Sequence, residues 1–305
     1  MQPDLSIIIR AWTNVSIKSE STIISFSLAQ TQTVEEQENI FHHNNKNDHN
    51  SSNSTYPLDS DPAQTNHEKQ LKIDIGEKSH SNKDDKIKLK RMFNLNEFTN
   101  LKVWQQAIAE FFGTLLLIFL IGAAVVAVAD STFPLPSLLI GFAHIPIISL
   151  LILVTGPISG AHLNPFLTIT TMTTNLMSLP RGLLYIIAQL SGGTIGGILI
   201  RSIASDESVT RTKLGSCSFN RELFSPFQAF IGEAIFCLGV ALVLFAVALD
   251  PTRKKDFGLT TIAFIVSTTF GVFVWFSGGL HTGWPGASMN PAKCFAFAVA
   301  TEDFS

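Results

Sequence analysis

From the amino terminus, the chain changes character once. From about Gln30 to Asp85 it is Asn, Ser, Asp, His, Gln and Lys with scarcely an apolar run, as in FHHNNKNDHNSSNST. Such a stretch buries too little surface to offset the entropy of ordering it, which predicts disorder. Ile7 to Ile9 and Ile23 to Phe26 are short apolar patches ahead of it, without an evident function. Five apolar runs follow, at residues 104–129, 136–156, 182–203, 226–249 and 258–280. Crossing roughly 30 Å of hydrocarbon takes ~20 helical residues, so each predicts a membrane span. Two shorter apolar pieces, beginning at Asn164 and Asn290, predict re-entrant half-helices. Broken backbone is tolerated at membrane depth only where protein buries it or it lines a watery cavity. The pattern therefore predicts an all-α membrane domain around a cavity, behind a disordered tail over residues 1–100.

The apolar part repeats itself. AEFFGT carries Glu110 in the first span and IGEAIF carries Glu233 in the fourth, 123 residues apart. SGAHLNPF carries Asn164-Pro165-Phe166 and PGASMNPA carries Asn290-Pro291-Ala292, with the two asparagines 126 residues apart. An odd number of spans separates the copies, so they enter the membrane from opposite sides, an inverted repeat that places a shared site near the midplane. Asn is a favoured N-cap and Pro a favoured first helical residue, so each pair starts a half-helix whose positive end points inward. Two such ends face to face repel cations, while each Asn amide still offers an N–H to water or a polyol. A single Asn-Pro marks only a turn; two at one offset after two intramembrane glutamates are informative. An ionisable group in lipid needs partners. For Glu110 and Glu233, holding the backbone of a re-entrant loop is preferred over proton relay, and His162 reads as a loop-packing or gating residue.

Composition sharpens this picture. About a quarter of the residues up to Val103 are charged, against about a tenth from Trp104 onward, well below the ~25% of soluble domains. Lys86, Lys88, Lys90 and Arg91 precede the first span, and Arg253, Lys254 and Lys255 lie between the fourth and fifth. Both clusters fall on one side, which positive-inside bias makes cytoplasmic. The first doubles as an anionic-lipid anchor. The sequons at Asn14, Asn50 and Asn53 then go unglycosylated. A net charge of −3 argues against a nucleic-acid partner. His42, His43, His49, His67 and His80 lack fixed spacing, and Cys217, Cys237 and Cys294 form no CxxC pair, so neither a metal site nor a disulfide scaffold is expected. Cys237 reads as a small packed hydrophobe. No nucleophile, phosphate loop or cofactor motif is visible, which argues against an enzyme.

From Trp104 to Ser305 the sequence resembles the aquaporin, or major intrinsic protein, family, on AEFFGT, SGAHLNP, YIIAQLSGGTIGG, IGEAIF and MNPA. The resemblance implies a channel domain over 104–305 with six spans, two half-helices, one pore per subunit and a homotetramer in a lipid bilayer, passing water and small neutral solutes. TEDFS resembles the stretch that normally precedes the sixth span, so five full spans are expected of six, an incomplete repeat. This leaves a second reading, a non-conducting member that assembles with full-length subunits and regulates them. Plasma membrane is the expected address, with a cytoplasmic N-terminus.

Three departures bear on selectivity. Phe166 stands where the family usually has Ala, which alters packing or narrows the midpoint. Lys293 stands where the family has the Arg of its outer filter, replacing a rigid planar fork of donors with a flexible point charge. Ungapped alignment places His144, Gly278 and Ala287 beside Lys293 in that filter, and the missing side chain at Gly278 implies a wider opening unless His281 intrudes. NPAKC also resembles the Asn-Pro-Ala-Arg-Cys signature of the uncategorised X intrinsic proteins of fungi and plants, associated with glycerol and urea. Cys294 and Cys217 are expected near the outer mouth as thiol-sensitive positions.

Overall fold

The computed structural model describes residues 90, 92–129 and 131–304, and of 251–254 the backbone only. The expected disordered tail over residues 1–100, with its histidines, its sequons and most of the Lys86 to Arg91 cluster, lies mostly outside the described residues; its last stretch differs from the expectation, being folded into the 3₁₀ turn at Leu95–Thr99. After a 3₁₀ turn at Leu95–Thr99, α1 runs Leu101–Ala129, α2 Pro136–Ser159, α3 Pro165–Thr173, α4 Leu179–Ile203 and α5 Asp206–Thr212. The second half holds α6, Pro226–Leu244, prolonged by a π-helical turn at Phe245–Leu249, then α7, Pro251–Ser277, and α8, Pro291–Thr301. No strand occurs among the described residues.

Among the described residues five helices are long and apolar enough to cross a membrane: α1, α2, α4, the segment Pro226–Leu249 and the segment Lys255–Ser277. They start and stop within a few residues of the apolar runs. The shifts are of three residues, at Leu101, Ser159, Leu179, Lys255 and Ser277; α7 turns out of helix at Ser277 rather than 280 because the loop carrying Gly278 folds back. Helices α3 and α8 are the two expected half-helices. In sequence and in contacts, α1–α2–α3 corresponds to α6–α7–α8, with α2 packed on α7 and α4 packed on α1 and α8.

Apolar attraction between helices is weak in lipid, so close association depends on small residues that let backbones meet. The stretch SGGTIGG in α4 supplies them in two stripes. A methyl group built on Gly192 would lie 2.2 Å from the Phe111 carbonyl of α1, and one on Gly196 would lie 2.3 Å from that of Leu115. The neighbouring stripe faces α8: a methyl on Gly197 would meet the Ala296 carbonyl at 2.8 Å, and one on Gly193 the Ala292 carbonyl at 3.4 Å. One helix thus sits against two partners through bare backbone. Across the molecule, Gly141 of α2 and Gly271 of α7 stand in each other's way in the same manner, at 2.4 and 2.5 Å.

The halves differ in how well they are covered. Helix α1 buries a full stripe from Val103 to Val125, whereas α6 buries only Val240 and Leu244 before its π turn. Phe227, Phe230, Ile235, Leu238 and Leu242 of α6 remain exposed. Between α6 and α8 lies an open groove of about 680 Å³, lined by Phe166, Phe230, Glu233, Trp284, Phe295 and Phe304 among others.

Because the obstructing atoms at Gly192 are backbone, Gly192→Leu is expected to destabilise the fold by about 3 kcal/mol. Gly156→Ala, whose methyl meets only the flexible end of Leu259 at 3.1 Å, should be tolerated. Thermal unfolding of the purified protein in detergent separates the two: a lowered midpoint for the first variant and a wild-type midpoint for the second.

Candidate functional site

The site is built on the starts of α3 and α8. Asn164 and Asn290 are N-caps with extended backbone, and each side-chain carbonyl accepts from the second helical residue, Phe166 N at 2.9 Å and Ala292 N at 3.0 Å. Pro165 and Pro291 occupy the first helical position, where no N–H is missed. Each amide then reaches across to the opposite loop: Asn164 Nδ2 donates to the Met289 carbonyl at 2.8 Å, and Asn290 Nδ2 to that of Leu163 at 3.2 Å. The two half-helices are clasped end to end by a reciprocal pair of bonds. An amide carries two N–H donors, so each Asn keeps one for the cavity.

The loops that deliver the asparagines are held by the two glutamates. Glu110, fully buried, accepts from His162 N at 3.0 Å and Leu163 N at 2.6 Å, and also from Ser159 Oγ at 2.5 Å and Gln189 Nε2 at 2.8 Å. Glu233 accepts from Ser288 N at 2.7 Å and Met289 N at 3.0 Å. Leu163 and Met289 have φ of 49° and 55°, left-handed geometry that fans successive N–H groups toward one carboxylate. The correspondence between halves extends to single residues, with one difference. Glu110 is enclosed by four donors, whereas Glu233 is half-buried and borders the groove beside α6.

A narrow cavity of about 80 Å³ runs past the clasp, above the ~10–15 Å³ that a single water needs. Its polar stripe is His162, Asn164, Ser288, Asn290, Lys293 and His144; Leu117, Ile121, Ile148, Ile152, Val266 and Phe270 contribute to the apolar wall. His162 Nδ1 lies 3.1 Å from Thr168 Oγ1, and its ring meets Tyr185 edge-on at 5.5 Å. A second cavity of about 240 Å³ opens beyond Lys293. Ile121, His144 and Lys293 line both cavities and form the neck between them. His144 Nδ1 is engaged with the Ile140 carbonyl at 2.7 Å, which leaves Nε2 for the neck.

Of the residues expected in the filter, His144, Ala287 and Lys293 come together in the outer cavity, and Gly278 does not line it. A methyl on Gly278 would meet Ser137 Cβ of α2 at 3.0 Å, while Val274, one turn earlier, lines the cavity. Val274 and Ile121 were missed; the i, i+4 series Leu117, Ile121, Val125 on α1 was the available signal for the second. His281 is exposed and packs on Phe224 at 5.0 Å. The Phe166 ring lines the groove beside Glu233, not the narrow cavity, so it changes packing without narrowing the midpoint. Ala292, fully buried, lies beneath α4.

One expectation is corrected. Cys217 and Cys294 are not free thiols but a disulfide, joining the loop before α6 to the first turn of α8. Both face the groove rather than the narrow cavity. Their separation of 77 residues hides in sequence what the fold makes adjacent. Among the described residues Cys237, in α6, is the free cysteine, and it too borders the groove.

Two re-entrant half-helices clasped at mid-depth, each held by a glutamate from its own half, define an inverted-repeat membrane protein with a cavity at the clasp. Residues 97–305 match the family described as Major intrinsic protein. Lens fiber major intrinsic protein of Lithobates pipiens is 32% identical over 210 residues, 68% of this chain and 75% of that protein. Aquaporin-5 of Sus scrofa is 32% identical over 209 residues, 68% of this chain and 74% of that one. The X-ray structure of the aquaglyceroporin from Plasmodium falciparum superimposes with a TM-score of 0.57 at 22% identity, covering 66% of this chain and 83% of that chain. The chain belongs to the major intrinsic protein family.

Glu110→Gln replaces one carboxylate oxygen by an NH2 group; at Oε2 this removes the acceptor shared by Leu163 N and Gln189 Nε2, and at Oε1 that shared by His162 N and Ser159 Oγ. The expected cost is about 1–3 kcal/mol. Glu233→Gln should cost less, because Glu233 has two donors to Glu110's four; unfolding midpoints in detergent rank the two. Mercurials are expected to leave solute flux unchanged in the oxidised protein, since its paired cysteines offer no thiol and Cys237 lies off the route; flux before and after treatment checks this.

Proposed function

We propose that the protein is a passive channel for water and small uncharged solutes of the glycerol and urea kind. The observation that supports this most is the narrow cavity passing two asparagines that each retain one amide N–H. A solute that shares hydrogen bonds with the polar stripe and slides along the apolar wall replaces its water shell at little cost. A cation meets Lys293 and the positive ends of α3 and α8, and finds no carboxylate in the cavity lining to replace its hydration. The same electrostatics oppose proton passage. Members of the family are channels rather than enzymes, and this reading needs no cofactor.

Selectivity in this reading lies at the neck and just outside it, with His144, Lys293, Ala287, Val274 and Ile121. The Lys293-Cys294 pair supports a likeness to the X intrinsic proteins, and a lysine in place of arginine suits a less strict filter. By counting crossings, the disulfide lies on the face opposite Arg253 to Lys255. Disulfides persist in oxidising compartments. Both features support a cytoplasmic N-terminus and a plasma-membrane address, with assembly as a homotetramer.

A second reading rests on the groove. Helix α6 carries an uncovered apolar face, and Glu233 has two fewer donors than Glu110, features that suit a regulatory member whose groove is covered by other family subunits.

Light scattering from liposomes reconstituted with the 305-residue chain tests both. Sucrose and glycerol gradients are applied, with empty liposomes as control. Rapid re-swelling in glycerol is expected; a response no faster than empty liposomes sinks the channel reading and favours the regulatory one. Lys293→Arg is expected to lower the glycerol-to-water flux ratio several-fold, and an unchanged ratio counts against the placement of Lys293 at the neck.

A further inference from the structure

The disulfide sits at a boundary. Thr212, Gly215 and Ser216 line the outer cavity together with Lys293, while the next residue after Ser216 and the next after Lys293 are the bonded cysteines, which line the groove. Two adjacent spaces are thus separated by one covalent cross-link. The segment from Lys213 to Cys217 is a strap stretched over α1 and α8. Leu214 is fully buried in it, with a left-handed φ of 57°. A methyl on Gly215 would press on Val125 of α1 at 3.0 Å. At its start, Lys213 pairs with Asp303 beyond the far end of α8. The strap is held at three points: an ion pair, a buried leucine and the disulfide. The last is the fastening nearest the neck.

We infer that the Cys217–Cys294 bond is a positioning device for the filter, holding the strap as the wall that closes the outer cavity against the groove and fixing Lys293 at the neck. Half-buried Lys293 has no hydrogen-bond partner on the strap that would hold the wall once the bond is cut. With the bond broken, the Ser216 end of the strap is released while Leu214 keeps the remainder docked. The outer cavity then opens sideways, Lys293 becomes accessible, and discrimination by solute size declines while the clasp at Asn164 and Asn290 is untouched. The solute consequence rests on the channel reading; the accessibility of Lys293 does not.

The test uses the full chain in liposomes, oxidised or treated with the phosphine TCEP. TCEP converts the disulfide to two thiols and becomes its oxide, taking the oxygen and two protons from water. Peptide mass mapping without reductant establishes the state of the bond. Lys293 is then acetylated with a water-soluble N-hydroxysuccinimide ester in detergent, with exposed Lys102 as the internal reference. Reduction is expected to raise the Lys293 rate several-fold relative to Lys102. Cys217→Ser/Cys294→Ser should match the reduced wild type and ignore TCEP. In flux, the ratio of glycerol to the larger polyol ribitol should fall in parallel, a change that a general loss of folding, which lowers both, does not produce. An equal Lys293 rate in demonstrably reduced and oxidised protein overturns the inference, as does a native peptide map without the 217–294 cross-link. If labelling responds but no form passes solute, the positioning role stands and the channel reading fails.

Discussion

Every re-entrant segment in a membrane brings backbone N–H groups where no water can satisfy them, and in this protein two carboxylates answer that demand. Glu110 gathers the N–H groups of His162 and Leu163, and Glu233 those of Ser288 and Met289. Without them the left-handed turns at Leu163 and Met289 would strand donors in a low-dielectric interior, at ~1–3 kcal/mol for each unpaired group. With them, the loops enter at a fixed angle, the asparagines arrive opposite one another, and the prolines begin two helices pointing away from a common centre. The clasp follows from the glutamates. An acidic side chain in a span is here the means by which non-helical backbone reaches mid-depth.

Much of this was legible in the sequence because it is periodic or paired. The apolar runs gave the spans, and equal offsets between Glu110 and Glu233 and between Asn164 and Asn290 gave the inverted repeat. Helix ends were less legible, since the turn at Ser277 depends on the bond from Ala287 N to Ser277 Oγ, a contact ten residues distant. The lining of the outer cavity was partly legible. Ala287 and Lys293 keep a fixed spacing from Asn290, but residue 278 lies where α7 gives way to loop, and a shift of one turn moves the lining role to Val274. The disulfide was not legible at all: spacing says nothing about two cysteines brought together by the return of α8 toward the strap. The Phe166 side chain was readable in bulk but not in direction, which depends on the rotation of α3 beneath α6.

The two halves repeat in backbone but not in their surroundings. Gln189 and Ser159 complete the shell around Glu110, and α4 covers α1 and α8 through glycine. In the second half Glu233 receives only the two loop N–H groups and borders the groove, and Phe166, in the motif position that Ala292 holds under α4, lines that groove. A repeat therefore fixes the geometry of its central contact more strictly than the packing around it. The clasp bonds to the backbone of the opposite loop, so its two sides must match; the outer surfaces contact different neighbours and need not.

The glycine stripes of α4 carry a mechanical consequence. Where helices touch through backbone, no rotamer can change and no side chain can yield, so α1, α4 and α8 form one stiff side of the molecule, carrying Leu117, Ile121 and Lys293. The opposite side of the narrow cavity is α2 and α7, with Ile148, Ile152, Val266 and Phe270, branched and aromatic groups whose bulk sets the remaining width. Gly141 and Gly271 join α2 and α7 through backbone as well, so both jaws of the narrow cavity are stiff. Its gauge is then a matter of side-chain size alone: evolution or engineering can reset it by exchanging Ile148, Ile152, Val266 or Phe270 without moving the helices that carry them.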